Sequence, residues 1–160
     1  MNKRVEKALN EQIEKEASSS QFYLAMASWA EGQGLNGTAK FLYAHSDEER
    51  FHMLKLVKFV NERGGAAVIP GLSNPPTDFE SLTRVFELLL EHELKVTESI
   101  NDVVDVCLTG GATTFFGSSF LGSSFFAANG SLNFAAPNGL ALGSSFFGSN
   151  FFTSLGSSFF

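Results

Sequence analysis

Cysteine occurs once, at Cys107. The chain therefore cannot carry a disulfide framework, and a reducing compartment is the expected setting. No apolar stretch is long enough to span a bilayer, and Met1-Asn2-Lys3-Arg4 runs into a charged helical pattern with no apolar signal segment after it. A cytoplasmic location and no membrane partner are expected. Positive charge is in deficit: 11 Lys and Arg against 17 Asp and Glu give a formal charge of −6, which argues against nucleic acid as a partner. From Gly110 to Phe160 charge of either sign is missing, every Asp, Glu, Lys, Arg and His standing at or before Asp105. That segment uses only Gly, Ala, Ser, Thr, Asn, Pro, Leu and Phe, and it holds twelve of the 18 Phe. Gly-Ser-Ser-Phe recurs four times in it, from Gly117, Gly122, Gly143 and Gly156, at unequal intervals that exclude a solenoid. Gly and Ser lower helix propensity and Phe appears without a stable period, so residues 110–160 read literally as a low-complexity, cohesive segment.

The first two-thirds read differently. The length, 160 residues, suits one domain. Apolar residues spaced three and four apart predict helices over 3–31, 36–63 and 78–108. Gly32 and Gly34 end the first and Gly64-Gly65 the second, because glycine tolerates the left-handed conformation common at helix ends. Residues 66–76, broken by Pro70-Gly71 and Asn74-Pro75-Pro76, make a connection long enough to cross over along a helical bundle. Thr77-Asp78-Phe79-Glu80 fits a capping box at the start of the third helix.

Each helix carries an acid inside its apolar stripe. The first stripe is Val5, Leu9, Ile13, Glu16, Ser20, Tyr23, Leu24 and Ala27. The second is Leu42, His45, Glu49, His52, Met53, Leu56, Phe59 and Val60, in which Glu49 and His52 stand one turn apart on one face. The third is Leu82, Phe86, Leu89, Glu93, Val96, Ile100, Val103 and Cys107. A buried carboxylate must be paired, protonated or metal-bound. If the three helices pack side by side, Glu16, Glu49, His52 and Glu93 converge, and carboxylate oxygens with one imidazole suit iron or manganese rather than a thiolate zinc site. Tyr23, on the face of Glu16, either hydrogen-bonds a ligand or belongs to the core. His45 reads as a packed or hydrogen-bonded histidine, and Trp29 as packing.

The stretches Leu9-Asn10-Glu11-Gln12, Glu48-Glu49-Arg50-Phe51-His52-Met53 and Glu91-His92-Glu93, with the long crossover, resemble a prokaryotic non-haem ferritin over residues 1–109. The resemblance implies an all-α, ferritin-like four-helix bundle with a short fifth helix, and a homo-oligomeric cage of 24 subunits. It implies that Fe(II) is oxidised by O2 or peroxide and stored as Fe(III) mineral. By position, Glu16, Glu49, His52 and Glu93 would be ligands of a non-haem di-iron centre, with Glu49 bridging, and Glu48 would belong to an accessory third metal site. Haem-binding relatives have Met directly after the bridging Glu; Arg50 stands there, so no haem is expected. Residues 110–160 have about the length of the family's fourth and fifth helices but bring no carboxylate, which leaves half a second iron site. The alternative is therefore a catalytically inactive cage or scaffold with a substituted or engineered Phe-rich tail.

Overall fold

The computed structural model describes residues 1–109 and, beyond them, 134–135 and 141–142. The chain divides into two compact units, Met1–Ala112 and Thr113–Phe160. The first holds three long helices, α1 (Lys3–Gly32), α2 (Asn36–Glu62) and α3 (Leu82–Thr109). Helix α1 is the central one: it packs along α2 and against α3, while α2 and α3 approach each other through side chains such as Phe41 and Phe86, whose ring centroids lie 6.2 Å apart. In the second unit the structure describes an antiparallel pair of two-residue strands, β1 (Phe134–Ala135) and β2 (Ala141–Leu142), with Phe134 opposite Leu142. The fourth and fifth helices expected of 110–160 otherwise lie outside the described residues.

The glycine stops act as expected. Gly34 and Gly64 have φ of +76° and +71°. After α1, Gly34 N–H donates to Glu31 O and Leu35 N–H to Ala30 O, both at 2.9 Å. After α2, Gly64 N–H donates to Asn61 O at 3.1 Å and Gly65 N–H to Val60 O at 2.9 Å. Both sets are Schellman closures, which satisfy helix-end carbonyls in a turn of a few residues. Asn10 ties the crossover that follows to α1 through both ends of its amide. Asn10 Nδ2 donates to Ala66 O at 3.0 Å, and Asn10 Oδ1 accepts Val68 N–H at 2.7 Å.

The start of α3 departs from the capping-box expectation. Glu80 sits at φ +61°, outside the helical region, and the helix begins at Leu82. Ser81 is the cap: its Oγ accepts Arg84 N–H at 3.2 Å and its carbonyl accepts Val85 N–H at 3.1 Å. The reason is tertiary. Phe79 is 2% exposed and packs edge-on to Phe22 and Trp29, while Asp78 Oδ1 accepts Glu80 N–H and Trp29 Nε1–H, both at 3.1 Å. Burying the Phe79 ring is worth on the order of 2–3 kcal/mol, more than the ~1 kcal/mol of a cap, so the chain turns Phe79 inward and starts the helix four residues later.

The core is built from Tyr23, Met26, Ala27, Ala30, Ala39, Leu42, Phe79, Val85 and Leu89. The α1 stripe holds except at one position, and the α3 stripe is turned from its sequence reading. On α1, Leu24 is exposed and Met26 is buried instead. On α3, Val85, Ser99 and Val104 are buried, while Phe86, Glu93, Val96 and Ile100 are only half-buried among the described residues.

Candidate metal centre

Two serines set the register of α1 against α2. Ser20 Oγ donates to Ser46 O, and Ser46 Oγ donates back to Ser20 O, each at 2.8 Å. Small side chains let the two backbones approach here, and each hydroxyl caps a carbonyl across the interface. Glu16 lies one turn before Ser20 and Glu49 nearly one turn after Ser46, so this antiparallel register brings the two acids level.

Glu16, Glu49 and His52 each offer one ligand atom, and these atoms lie within 4.8 Å of one another. His52 Nδ1 stands 3.8 Å from Glu16 Oε2 and 3.9 Å from Glu49 Oε2. All three residues are buried, at 0%, 5% and 4% exposure. Glu16 Oε2 and Glu49 Oε2 are buried oxygens without a hydrogen-bond partner among the described residues, as is Glu48 Oε1. A buried carboxylate oxygen left in this way is costly, and two of them converging with an imidazole nitrogen form a cradle for a cation.

The electrostatics are those of a buried acid cluster. Burial, with the neighbouring Glu49 next, holds the Glu16 carboxyl well above its usual range. Glu49 is pushed up to about 7, chiefly by burial, with Glu93 and Glu48 adding to it and Glu16 opposing. Burial lowers His52, against the pull of Glu16 and Glu48. The acids therefore retain protons near neutrality and the imidazole stays neutral, the form that binds a metal.

Glu93 does not join the 4.8 Å group. Its Oε1 accepts the Tyr23 O–H at 2.7 Å; burial raises its pKa while that hydrogen bond lowers it. Tyr23 is itself fully buried, its phenol held protonated by burial and by Glu93. It is thus both a core residue and a hydrogen-bond partner of a candidate ligand. His45 is packed, with Nδ1 3.1 Å from Phe41 O and its ring against Phe41 and Tyr23. Trp29 packs on Phe79.

Sequence reasoning missed the polar chain behind Glu16. Gln12 Nε2 donates to Glu16 Oε1 at 2.8 Å, and Ser99 Oγ donates to Gln12 Oε1 at 2.6 Å. Lys15 Nζ donates in turn to Ser99 Oγ. The only local sign was Gln12 one turn before Glu16; Ser99 is 87 positions away from Gln12 and gave none.

Three helices with inward acids, a buried Glu-x-x-His pair and a long crossover between the second and third helices define a carboxylate-bearing helical bundle of the ferritin-like class. The Ferritin-like domain family matches residues 6–116, and the chain belongs to this family. It is similar to a probable bacterial non-heme ferritin-like protein of Haemophilus influenzae, 43% identical over 104 residues, 65% of this chain and 63% of that protein. It is also similar to a bacterial non-heme ferritin of Campylobacter jejuni, 41% identical over 109 residues, 68% and 65% of the two chains. The match thus spans somewhat less than two-thirds of the length of these relatives. Among solved structures, a Chlorobium tepidum ferritin superposes with a TM-score of 0.70 at 38% identity, over 73% of this chain and 72% of that one. Among the described residues no helix is long and apolar enough to cross a membrane.

Proposed function

We propose that this protein takes up Fe(II) at the Glu16–Glu49–His52 cradle, oxidises it and stores the Fe(III) product inside a cage built from copies of the chain. One observation carries this reading: two buried carboxylate oxygens, Glu16 Oε2 and Glu49 Oε2, receive no hydrogen bond from an amide, hydroxyl or ammonium group among the described residues and converge beside the His52 imidazole. Membership of the ferritin family and the non-heme ferritin names of the relatives support it.

Iron is here the substrate. Glu16, Glu49 and His52 bind the first Fe(II), and the protons retained by the two acids leave as it enters. Glu49 would reach toward a second Fe(II) on the side of Glu93, whose Oε1 accepts the Tyr23 O–H. Glu48, with Oε1 buried and unpartnered, supplies an accessory binding position. Two Fe(II) give up one electron each, and O2 takes both with two protons to leave as hydrogen peroxide; peroxide in its turn takes two electrons and two protons to leave as water. Carboxylates suit the change because they hold the more highly charged product more firmly. The chain's own part is to position the donors, release protons and keep the centre dry.

Residues 110–160 contain no carboxylate to complete the second position, which favours the inactive cage as a second reading. Stopped-flow absorbance of Fe(II) oxidation separates the two. Oxidation faster than in buffer, abolished in Glu49→Gln, supports the ferroxidase; a buffer-like rate in an assembled particle supports the inactive cage. A stable monomer in size-exclusion chromatography with light scattering contradicts both.

A further inference from the structure

Glu16 has two oxygens with opposite surroundings. Oε1 accepts a hydrogen bond from Gln12 at 2.8 Å, while Oε2 is buried without a hydrogen-bond partner and faces His52 Nδ1 at 3.8 Å. Gln12 is 2% exposed and Ser99 6% exposed, so the connection between them runs through the interface of α1 and α3 rather than over its surface. An amide side chain can present either its N–H2 or its oxygen, and its own shape does not say which. The partners decide. The Lys15 ammonium can only donate, so it occupies a lone pair of Ser99 Oγ. The single Ser99 proton is then free for Gln12 Oε1, reached at 2.6 Å. With its oxygen so engaged, Gln12 turns its N–H2 toward Glu16 Oε1. Each link donates toward Glu16, and the direction is set at the Lys15 end.

We infer that Lys15, Ser99 and Gln12 form a one-way hydrogen-bond relay that positions Glu16 as a metal ligand, fixing one carboxylate oxygen so that the other is presented to the cation. The inference rests on the metal-site reading of Glu16, Glu49 and His52 and adds three positioning residues to it. A donor on Oε1 suits an ionised, metal-bound carboxylate and stops it from rotating. Without the Ser99 hydroxyl the Gln12 amide is free to turn over and set its oxygen against Glu16, an arrangement that opposes the ionised form. Partners behind metal ligands of this kind typically contribute about 10–100-fold in affinity.

The test uses Co(II) alone as the probe, titrated into the full-length metal-free protein, with its visible d–d absorption reporting both affinity and coordination. Ser99→Ala is expected to weaken Co(II) binding by about 10–100-fold and to alter the d–d band, and Ser99→Thr, which keeps the hydroxyl, to restore both. Lys15→Met, a change at an exposed position, is expected to weaken binding in the same direction by a smaller factor. Thermal melts of the metal-free proteins report any purely structural loss, which Co(II) affinity and band shape do not track. If wild type binds Co(II) and Ser99→Ala binds it equally well with the same spectrum, the relay is overturned while the metal site stands. Loss of affinity in both Ser99 variants alike also overturns it, since the hydroxyl is then not the active feature. A wild-type protein that binds no Co(II) overturns the metal-site reading and the relay with it.

Discussion

Glu49→Gln in the metal-free protein separates a metal ligand from a structural acid. Glu49 rises from an ordinary 4.5 to about 7 in the fold, chiefly by burial. A carboxyl raised by folding makes the native state hold more protons than the unfolded chain. Its stabilising effect is complete below pH 4.5 and is lost as pH rises through about 7. Above pH 7 the fold therefore bears the cost of the ionised group, about 3 kcal/mol at 1.36 kcal/mol per pH unit. Gln keeps the shape and removes that cost. Melts of chelator-treated protein at a fixed concentration should show Glu49→Gln more stable than wild type at pH 8 by about 3 kcal/mol, or roughly 6–12 °C in a chain of this size. At pH 5, where Glu49 is protonated in the fold, the advantage should shrink to below about 1 kcal/mol. Fe(II) oxidation should be lost in the variant at both pH values. A variant less stable than wild type at pH 8, or a gap independent of pH, would show that Glu49 is paired within the fold and would refute the reasoning.

Other perturbations probe separate links. Because Glu49 holds a proton until about pH 7, Zn(II) binding by calorimetry should weaken about tenfold between pH 8 and pH 6 from this group alone, with proton uptake by the buffer; a flat profile contradicts a protonated resting site. Ser81→Ala should cost about 1 kcal/mol in chemical unfolding and Thr77→Ala close to nothing, because Ser81 and not Thr77 caps α3; the reverse order would restore the capping box. Phe79→Ala should cost about 3–5 kcal/mol, since the ring is 2% exposed, and a loss under ~1 kcal/mol would remove the reason given for the late start of α3.

Much of the fold could be read from local pattern. Gly34 and Gly64 stop their helices where a left-handed residue is needed, and the stripes place Leu9, Ile13, Leu42, Leu56 and Val60 in the core. Glu49 and His52 could be paired because three residues along a helix is a geometric constant. Legibility ended where tertiary contacts compete with local signals. Thr77 and Glu80 have a cap's spacing, but the burial of Phe79 moves the start to Ser81. The α3 face is rotated because Ser99 is drawn inward to Gln12, a contact that no spacing along the chain encodes. Tyr23 could be placed beside Glu16 by periodicity, yet its bond to Glu93 crosses from α1 to α3 and appears only once the helices are docked.

Whether Glu16, Glu49 and His52 together hold a cation is decided by anomalous diffraction from crystals of the full-length protein soaked with Zn(II). An anomalous peak is expected in contact with Glu16 Oε2, Glu49 Oε2 and His52 Nδ1, the atoms that already converge. A soaked crystal with metal bound elsewhere, no peak at this position and the His52–Glu16 and His52–Glu49 contacts unchanged would contradict it.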